Sequence, residues 1–314
     1  MKAPKNLKTI VELGGTTKKI RRLANKNNQH WSAFNPSIAY SEETGYVCLI
    51  RSSNYFYNDL GHISLSTENT VRNRLYLARL SSDFSITSIS QVKYLDGPEQ
   101  KRGNEDARLF QRDGKWFFHI VMREEHTQNP RICVYHLDLD SATAIFIEKY
   151  ESNKEYSSIE KNWMLPSKIK NANFEFIYDA QNIVKKDGNL VKVSGNEDFP
   201  NLRGGSNLLE QEDGSYIALC HYTYYEIVEG YVPATFGVKR VSKRTYTHVF
   251  TQYNKFGRMT HISSEFVFEA PQIEFGIGIE NYNEQFVISY GVQDLSSNLA
   301  FIDKSKVFDL LKQI

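Results

Sequence analysis

The sequence predicts an all-β fold, a five-bladed β-propeller with a short C-terminal helix. Three observations carry this prediction. One phrase recurs five times along the 314 residues: a polar cluster, a short apolar strand, a tight polar turn and a second apolar strand. The apolar runs are short, rich in aromatic residues and bounded by turn-forming pairs, which is the pattern of strands. Helical spacing of apolar residues is confined to the tail.

The first copy of the phrase is FNPSIAYSEETGYVCLIR, from Phe34, and the second is NEDARLFQRDGKWFFHIVM, from Asn104. KNWMLPSKIKNANFEFIYD follows from Lys161, RGGSNLLEQEDGSYIALCH from Arg203 and IEFGIGIENYNEQFVISYG from Ile273. Thr44-Gly45, Asp113-Gly114, Asp187-Gly188 and Asp213-Gly214 stand between apolar runs. Such pairs turn hairpins because glycine accepts positive φ without a steric cost. The starting points at 34, 104, 161, 203 and 273 are 70, 57, 42 and 70 residues apart. That suits four-stranded blades of roughly 40–50 residues with insertions. A sandwich gives no reason for five similar hairpins at this spacing. Asp138 to Ser158 and Tyr222 to Val232 read as insertions, the second at the rim of a pocket. Residues 1–30 flank or close the ring. Residues 303–314 are expected to be helical, with Val307, Leu310 and Leu311 on one face. No linker divides the chain, so residues 1–314 are expected to form one domain.

Composition excludes several classes of function. A formal net charge of +1 gives no global field to recruit nucleic acid or an anionic membrane. The basic strip from Lys239 to Arg244 reads as a solvated strand face, since one strip releases few counterions. The basic start lacks a sustained apolar segment, and no run approaches the roughly 20 residues of a membrane span. A soluble, cytoplasmic protein is expected. Cys48, Cys133 and Cys220 are odd in number and widely spaced, which argues for buried free thiols over disulfides or zinc. His119, His126 and His136 are scattered and form no metal-ligand pattern, and His261 reads equally as a residue that reaches the site or as a loop residue. Gly14-Gly15 near Lys18 and Lys19 lacks the spacing of a phosphate-binding loop. No metal or cofactor is expected, and the oligomeric state is left open.

The openings of the five phrases carry the chemistry. In a propeller they converge on a central channel. They bring Asn35, the Glu105-Asp106-Arg108 cluster, Lys161-Asn162, Arg203 and Glu274, and the second strands end near Arg51, Arg123, Asp179, His221 and 291–294. Charges there need partners, so inter-blade ion pairing explains any one of them. Together, acids and bases converging on one point suit an anionic, oxygen-rich ligand. Carboxylates in such a cleft serve glycosyl transfer. Neighbouring strand residues point to opposite faces, so one of Glu105 and Asp106 is expected to face the channel.

Asn35-Pro36, Glu105-Asp106-Ala107-Arg108, Glu160-Lys161-Asn162-Trp163, Arg203-Gly204-Gly205 and the segment from Tyr290 to Asp294 resemble, in order, motifs of the β-mannoside phosphorylase family, glycoside hydrolase family 130. The resemblance runs from about Asn35 to Asp303. It implies a five-bladed propeller and an inverting glycoside phosphorylase that acts on a mannoside-like substrate with inorganic phosphate. By this resemblance Asp106 is the general acid, delivering its proton through a hydroxyl of the bound sugar. Lys161, Arg203, His221 and, more weakly, Arg131 hold phosphate. Asn35, Arg51 and Asp294 contact sugar, and Glu105, Tyr222 and Tyr224 add substrate contacts. Ala107 replaces the family's proline, and the ending at 289–294 differs from the family's small-residue version. The stretch HISSEFVFEAPQIEFGIGIE also resembles domains found beside glycan-building glycosyltransferases, so nucleotide-sugar transfer is the alternative. A hydrolase ranks lower, because cations remain where hydrolytic members tend to carry acids. A non-catalytic glycan-binding propeller is the fourth reading.

Overall fold

The computed structural model describes residues 3–20, 31–57, 63–65, 71–97, 104–123, 130–150, 161–167, 174–179, 182–184, 189–193, 199, 201–232 and 237–314. Four of the phrases fold as hairpins whose two runs are joined by a residue in the left-handed region, and the joining segment of the third lies outside the described residues. Gly45, Gly114 and Gly214 take φ of +69°, +72° and +78° at three of these turns. Asp187-Gly188 lies outside the described residues.

The strands form antiparallel sheets in a propeller-like arrangement. The first blade is Ser32–Ser41, Gly45–Ser53, Asn73–Leu80 and Ile86–Gln91. The second is Glu105–Arg112, Lys115–Arg123, Pro130–Asp138 and Thr143–Tyr150, edged by Lys93–Tyr94. The phrase from Arg203 supplies an eight-stranded sheet built on the long hairpin Tyr216–Val232 and Gly237–Tyr253. The phrase from Ile273 supplies Glu274–Tyr282, Gln285–Val292 and Ser296–Asp303, and Thr16–Lys19 from the N-terminal segment adds the fourth strand. The N-terminal segment therefore closes the last blade.

Four full blades, not five, stand among the described residues. The phrase from Lys161 gives a three-stranded sheet, Phe176–Asp179, Asn182–Val184 and Leu190–Lys192. Its strands are only three or four residues long, and Met164 joins it through a single bridge to Ile177. The tail is also shorter in helix than expected. It is helical over Lys304–Leu310, then Lys312–Gln313 turns extended and pairs with Met259–Ile262. Leu311 caps the helix in an extended conformation. This is the one helix among the described residues, and none there is long and apolar enough to cross a membrane.

The core is a ring of seams rather than a single mass. Leu49 and Leu77 of the first blade pack with Leu109, Phe118 and Tyr135 of the second. Phe110 and Ile132 meet Trp163 and Phe176. Ile177 and Ile183 meet Tyr216 and Val249, and Leu219 and Phe250 meet Phe286 and Ile288. Val287 and Leu299 then meet Ile38 and Cys48 of the first blade. The three cysteines are free and buried within these seams, as expected.

Gly205 sits where three strands crowd. A Cβ there would lie 2.7 Å from the carbonyl oxygens of both Gly276 and Leu219. Both are backbone atoms and cannot swing aside. Gly205→Ala is expected to destabilise the protein by about 1–3 kcal/mol, the usual range for overpacking, measured by urea unfolding. An unchanged midpoint would mean the seam has slack.

Candidate active site

The first strands of the phrases do not enter the channel as regular ladders. One extra residue is inserted between Phe34 and Ser37, and another between Glu105 and Arg108. Asn35, Asp106, Asn162 and Asp294 all take positive φ, from +47° to +62°. Asparagine and aspartate tolerate this left-handed conformation better than other side-chain-bearing residues. The bulges break the two-residue alternation, so Glu105 and Asp106 both line the cavity. The expectation that the pleat would hide one of them is therefore corrected.

The cavity measures about 630 Å³, and phrase openings and strand ends form much of its lining. Eight of the predicted residues are on its wall: Asn35, Arg51, Glu105, Asp106, Lys161, Arg203, His221 and Asp294. Arg51 is the hub. Its Nη1 donates to Asp106 Oδ1 at 3.0 Å, its Nε to Asn73 at 2.9 Å and its Nη2 to the Tyr55 hydroxyl at 2.8 Å. Glu105 lies 3.9 Å from the same guanidinium. Burial works against the charge of Arg51, yet Tyr55, Asp106, Glu105 and Asp294 hold its pKa well above the ordinary value.

Asp106 Oδ1 also accepts from Asn35 Nδ2 at 2.9 Å. Both side-chain donors go to this one oxygen, and no donor among the described residues reaches Oδ2. Gly291 makes room for Asn35, since a Cβ there would overlap Asn35 Oδ1. Glu105 accepts from Lys161 Nζ at 3.0 Å. Burial pushes the Asp294 carboxyl up to about 6; Arg51 and a hydrogen bond with Tyr55 oppose this, while Asp106 and Glu105 add to it.

His221 pairs with Arg203 across strands and packs its ring 5.1 Å from Phe275 and 5.3 Å from Tyr246. Burial, then the charges of Arg203 and Arg108, push its pKa down to about 3, so the imidazole is neutral. His221 can therefore offer a hydrogen bond, not a charge. Asn35 Oδ1 and His221 Nδ1 are buried with no hydrogen-bond partner among the described residues.

Tyr222 and Tyr224 are not on the wall. The strand alternates, so with His221 facing in, Thr223 and Tyr225 follow it and the even-numbered residues turn away. Tyr222 packs against the apolar seam, and the Tyr224 hydroxyl donates to Glu265 at 2.9 and 3.0 Å. Arg131 is also off the wall: it follows the lining residue Pro130 and donates to that residue's carbonyl at 3.2 Å. Glu274 is fully buried and accepts from the amides of Phe268, Glu269 and Ala270 at 2.6, 2.9 and 2.9 Å, so it ties a loop. Arg108 is likewise structural, donating to the Gly205 carbonyl at 2.6 Å. His119 is buried against Asn207 at 3.1 Å, His261 bonds Thr260 and His126 lies outside the described residues.

The wall also holds residues that the sequence reading missed: Tyr55, Thr223, Tyr225, Arg244, Tyr246 and Phe275. Thr223 and Tyr225 were available from the parity of His221. Arg244 and Tyr246 face it only through the hairpin register, Tyr225 opposite Arg244 and Thr223 opposite Tyr246. The basic strip is therefore not wholly a solvated face, because Arg244 belongs to the cavity.

No protein-family model matches this sequence, and no curated protein matches it. Solved structures do match its shape. A β-1,2-mannobiose phosphorylase from Listeria innocua, solved with β-1,2-mannobiose, aligns at 12% identity with a TM-score of 0.60, covering 92% of this chain and 94% of that one. A glycosyl hydrolase from Bacteroides ovatus aligns at 15% identity and a TM-score of 0.58, covering 88% and 85%. A mannose phosphorylase from Leishmania mexicana, solved with phosphate ion, aligns at 12% identity and a TM-score of 0.56, covering 97% and 94%. At these identities the likeness establishes a shared fold, and it falls among the proteins whose motifs the sequence resembles.

Two outcomes follow from the charges. The Asp294 carboxyl has a folded pKa above its ordinary value, so folding takes up a proton between about pH 4 and 6 and stability is lost as pH rises through that window. Asp294→Asn is expected to melt higher than the wild type near about pH 8, with the gain vanishing near about pH 4. An equal difference at both values would rule out the raised carboxyl. The His221 ring should give the NMR signature of a neutral imidazole down to about pH 5, with a normal titration near about 6.5 as the contrary result.

Proposed function

We propose that this chain is a carbohydrate-active enzyme of the mannoside phosphorylase kind, an inverting glycoside phosphorylase that cleaves a mannoside-like substrate with inorganic phosphate. The observation that carries the reading is how charge is shared among the phrases. The first, second and fifth bring Arg51, Asp106 and Asp294 together around a carboxylate with one open oxygen, while the third and fourth bring Lys161, Arg203 and Arg244 to the same cavity. The shared fold with phosphorylases supports it, as do the motif resemblances. The same reading takes the three-stranded third sheet as the fifth blade of a single propeller domain.

Asp106, in its protonated form, gives its proton to the glycosidic oxygen by way of a sugar hydroxyl. The bond from that oxygen to the anomeric carbon breaks, and its electron pair stays with the oxygen. A phosphate oxygen forms the new bond from the opposite face, so the configuration inverts. The products are a sugar 1-phosphate and a shortened sugar with its hydroxyl restored. Asp106 is left as the carboxylate that Arg51 and Asn35 stabilise, and regains its proton from solvent. Phosphate is already an anionic nucleophile, so no second carboxylate is needed to activate water. Glu105 instead holds Lys161 in place. The Arg203 and Arg244 guanidinium groups offer phosphate paired donors that an ammonium lacks.

The test is incubation with β-linked mannobiose, with and without phosphate. Mannose 1-phosphate is expected only with phosphate. Asp106→Asn should slow its release by about 10²–10⁴-fold, the usual worth of a general acid. Arg203→Ala should raise the KM for phosphate. Release of free mannose without phosphate would make the enzyme a hydrolase. Stabilisation by a nucleotide sugar but not by phosphate would make it a glycosyltransferase.

A further inference from the structure

We infer that the cavity-facing side of the long hairpin is a second binding element, on which Tyr225 carries a further pyranose ring of a longer sugar chain. The class of ligand rests on the proposed function; the site rests on the hairpin's own geometry. Tyr216–Val232 and Gly237–Tyr253 have 17 residues each, against 8 to 10 in the two leading strands of the first, second and fifth phrases. On one edge the last ladder partner is Arg203, opposite His221; on the other it is Phe266, opposite His248. Among the described residues the ladder beyond those points has two strands, with one further backbone bond, from the Tyr246 N–H to the Gln272 carbonyl at 2.9 Å. The hairpin therefore stands out past the blade, each residue rising about 3.3 Å.

Its two faces differ. On the face of Tyr222 and Tyr224, which Thr247 of the returning strand shares, Tyr222 rests on the apolar seam, and Tyr224 and Thr247 both donate to Glu265. That side is held by the protein. The odd-numbered face runs His221, Thr223 and Tyr225 along the cavity wall, and Ile227 continues it outward by about 7 Å. Tyr225 is 54% exposed and Ile227 is 65% exposed. Of the large apolar side chains that stand exposed among the described residues, Tyr225 is the one that lines the cavity.

Tyr225 is also oriented. The Arg244 guanidinium lies 5.6 Å from its ring centroid, directly across the ladder. A cation stacked on one aromatic ring holds it in place and puts donors beside it. A pyranose has an apolar C–H face that packs on such a ring and a rim of hydroxyls that Thr223, beside it on the wall, can meet. A chain too long for the cavity, leaving on this side, passes over Tyr225 and then Ile227. A second copy of this protein is the poorer occupant, since two exposed side chains fall far short of the roughly 1,000 Å² a stable interface needs.

The test titrates the full chain with β-linked mannobiose, mannotriose and mannotetraose by calorimetry. Wild-type affinity should rise by about tenfold from the disaccharide to the tetrasaccharide. Tyr225→Ala should remove most of that rise, Tyr225→Phe should keep it, and Ile227→Ser should reduce the last increment. Tyr225 is exposed, so none of these changes threatens the fold. Equal wild-type affinity for all lengths overturns the inference and leaves the proposed function standing. So does a loss in Tyr225→Ala that is the same for every length, or a change in sedimentation without a change in length dependence. Failure to bind any length removes the proposed function and this inference with it.

Discussion

The site depends on one buried positive charge. Arg51 is almost wholly out of water, and a guanidinium in that position needs opposite charge around it. No single strand can supply it. Asp106 comes from the second phrase and Asp294 from the fifth, while Glu105 extends the network to Lys161 of the third. The seams between blades bring these segments close through apolar packing, which has no direction. Arg51 adds the direction, because its donors fix which oxygen of which carboxylate faces where. Loss of Asp106, the carboxylate that Arg51 meets directly, would leave charge uncompensated in a dry setting, so the polar cluster and the ring of seams hold each other in place.

The backbone makes this possible through a local departure from strand geometry. A regular strand sends consecutive side chains to opposite faces and could never aim Glu105 and Asp106 at one cavity. The extra residue in each leading strand, with Asn35 and Asp106 in the left-handed region, turns the chain so that it can. Residues at such φ carry strain that must be offset by their surroundings. Here the offset is visible as hydrogen bonds from Arg51 and Asn35 to Asp106, and as the space left by Gly291. The short polar side chains at these positions serve the backbone as well as the ligand.

This explains what was legible in the sequence. The phrases could be read because each hairpin is a local event: a polar turn with glycine or aspartate between two apolar runs. The cavity residues at phrase openings could be read because a charge at the start of an apolar strand is conspicuous. The bulges could not, since nothing in the letters Glu105-Asp106 announces an inserted residue. Tyr222 and Tyr224 were misplaced by one step of the pleat, and the position of His221 already contained the right parity. Arg244 and Tyr246 belong to a returning strand, and their place depends on a register set by a turn far from the site.

The neutrality of His221 changes how the proposed anion side would work. Its ring is buried between Tyr246 and Phe275, with Arg203 and Arg108 nearby, and two cations beside a dry imidazole both oppose a third. Charge for a bound anion must then come from groups that water still reaches. Lys161 already answers Glu105, so its charge is partly spent within the protein. Arg203 is exposed at the cavity wall and Arg244 stands over Tyr225. In the proposed function, an anion would meet two guanidinium groups on the wall and one neutral imidazole packed against Tyr246 and Phe275. The charges would draw it in, and the imidazole would add no cation to compete with Arg51 for the carboxyl groups.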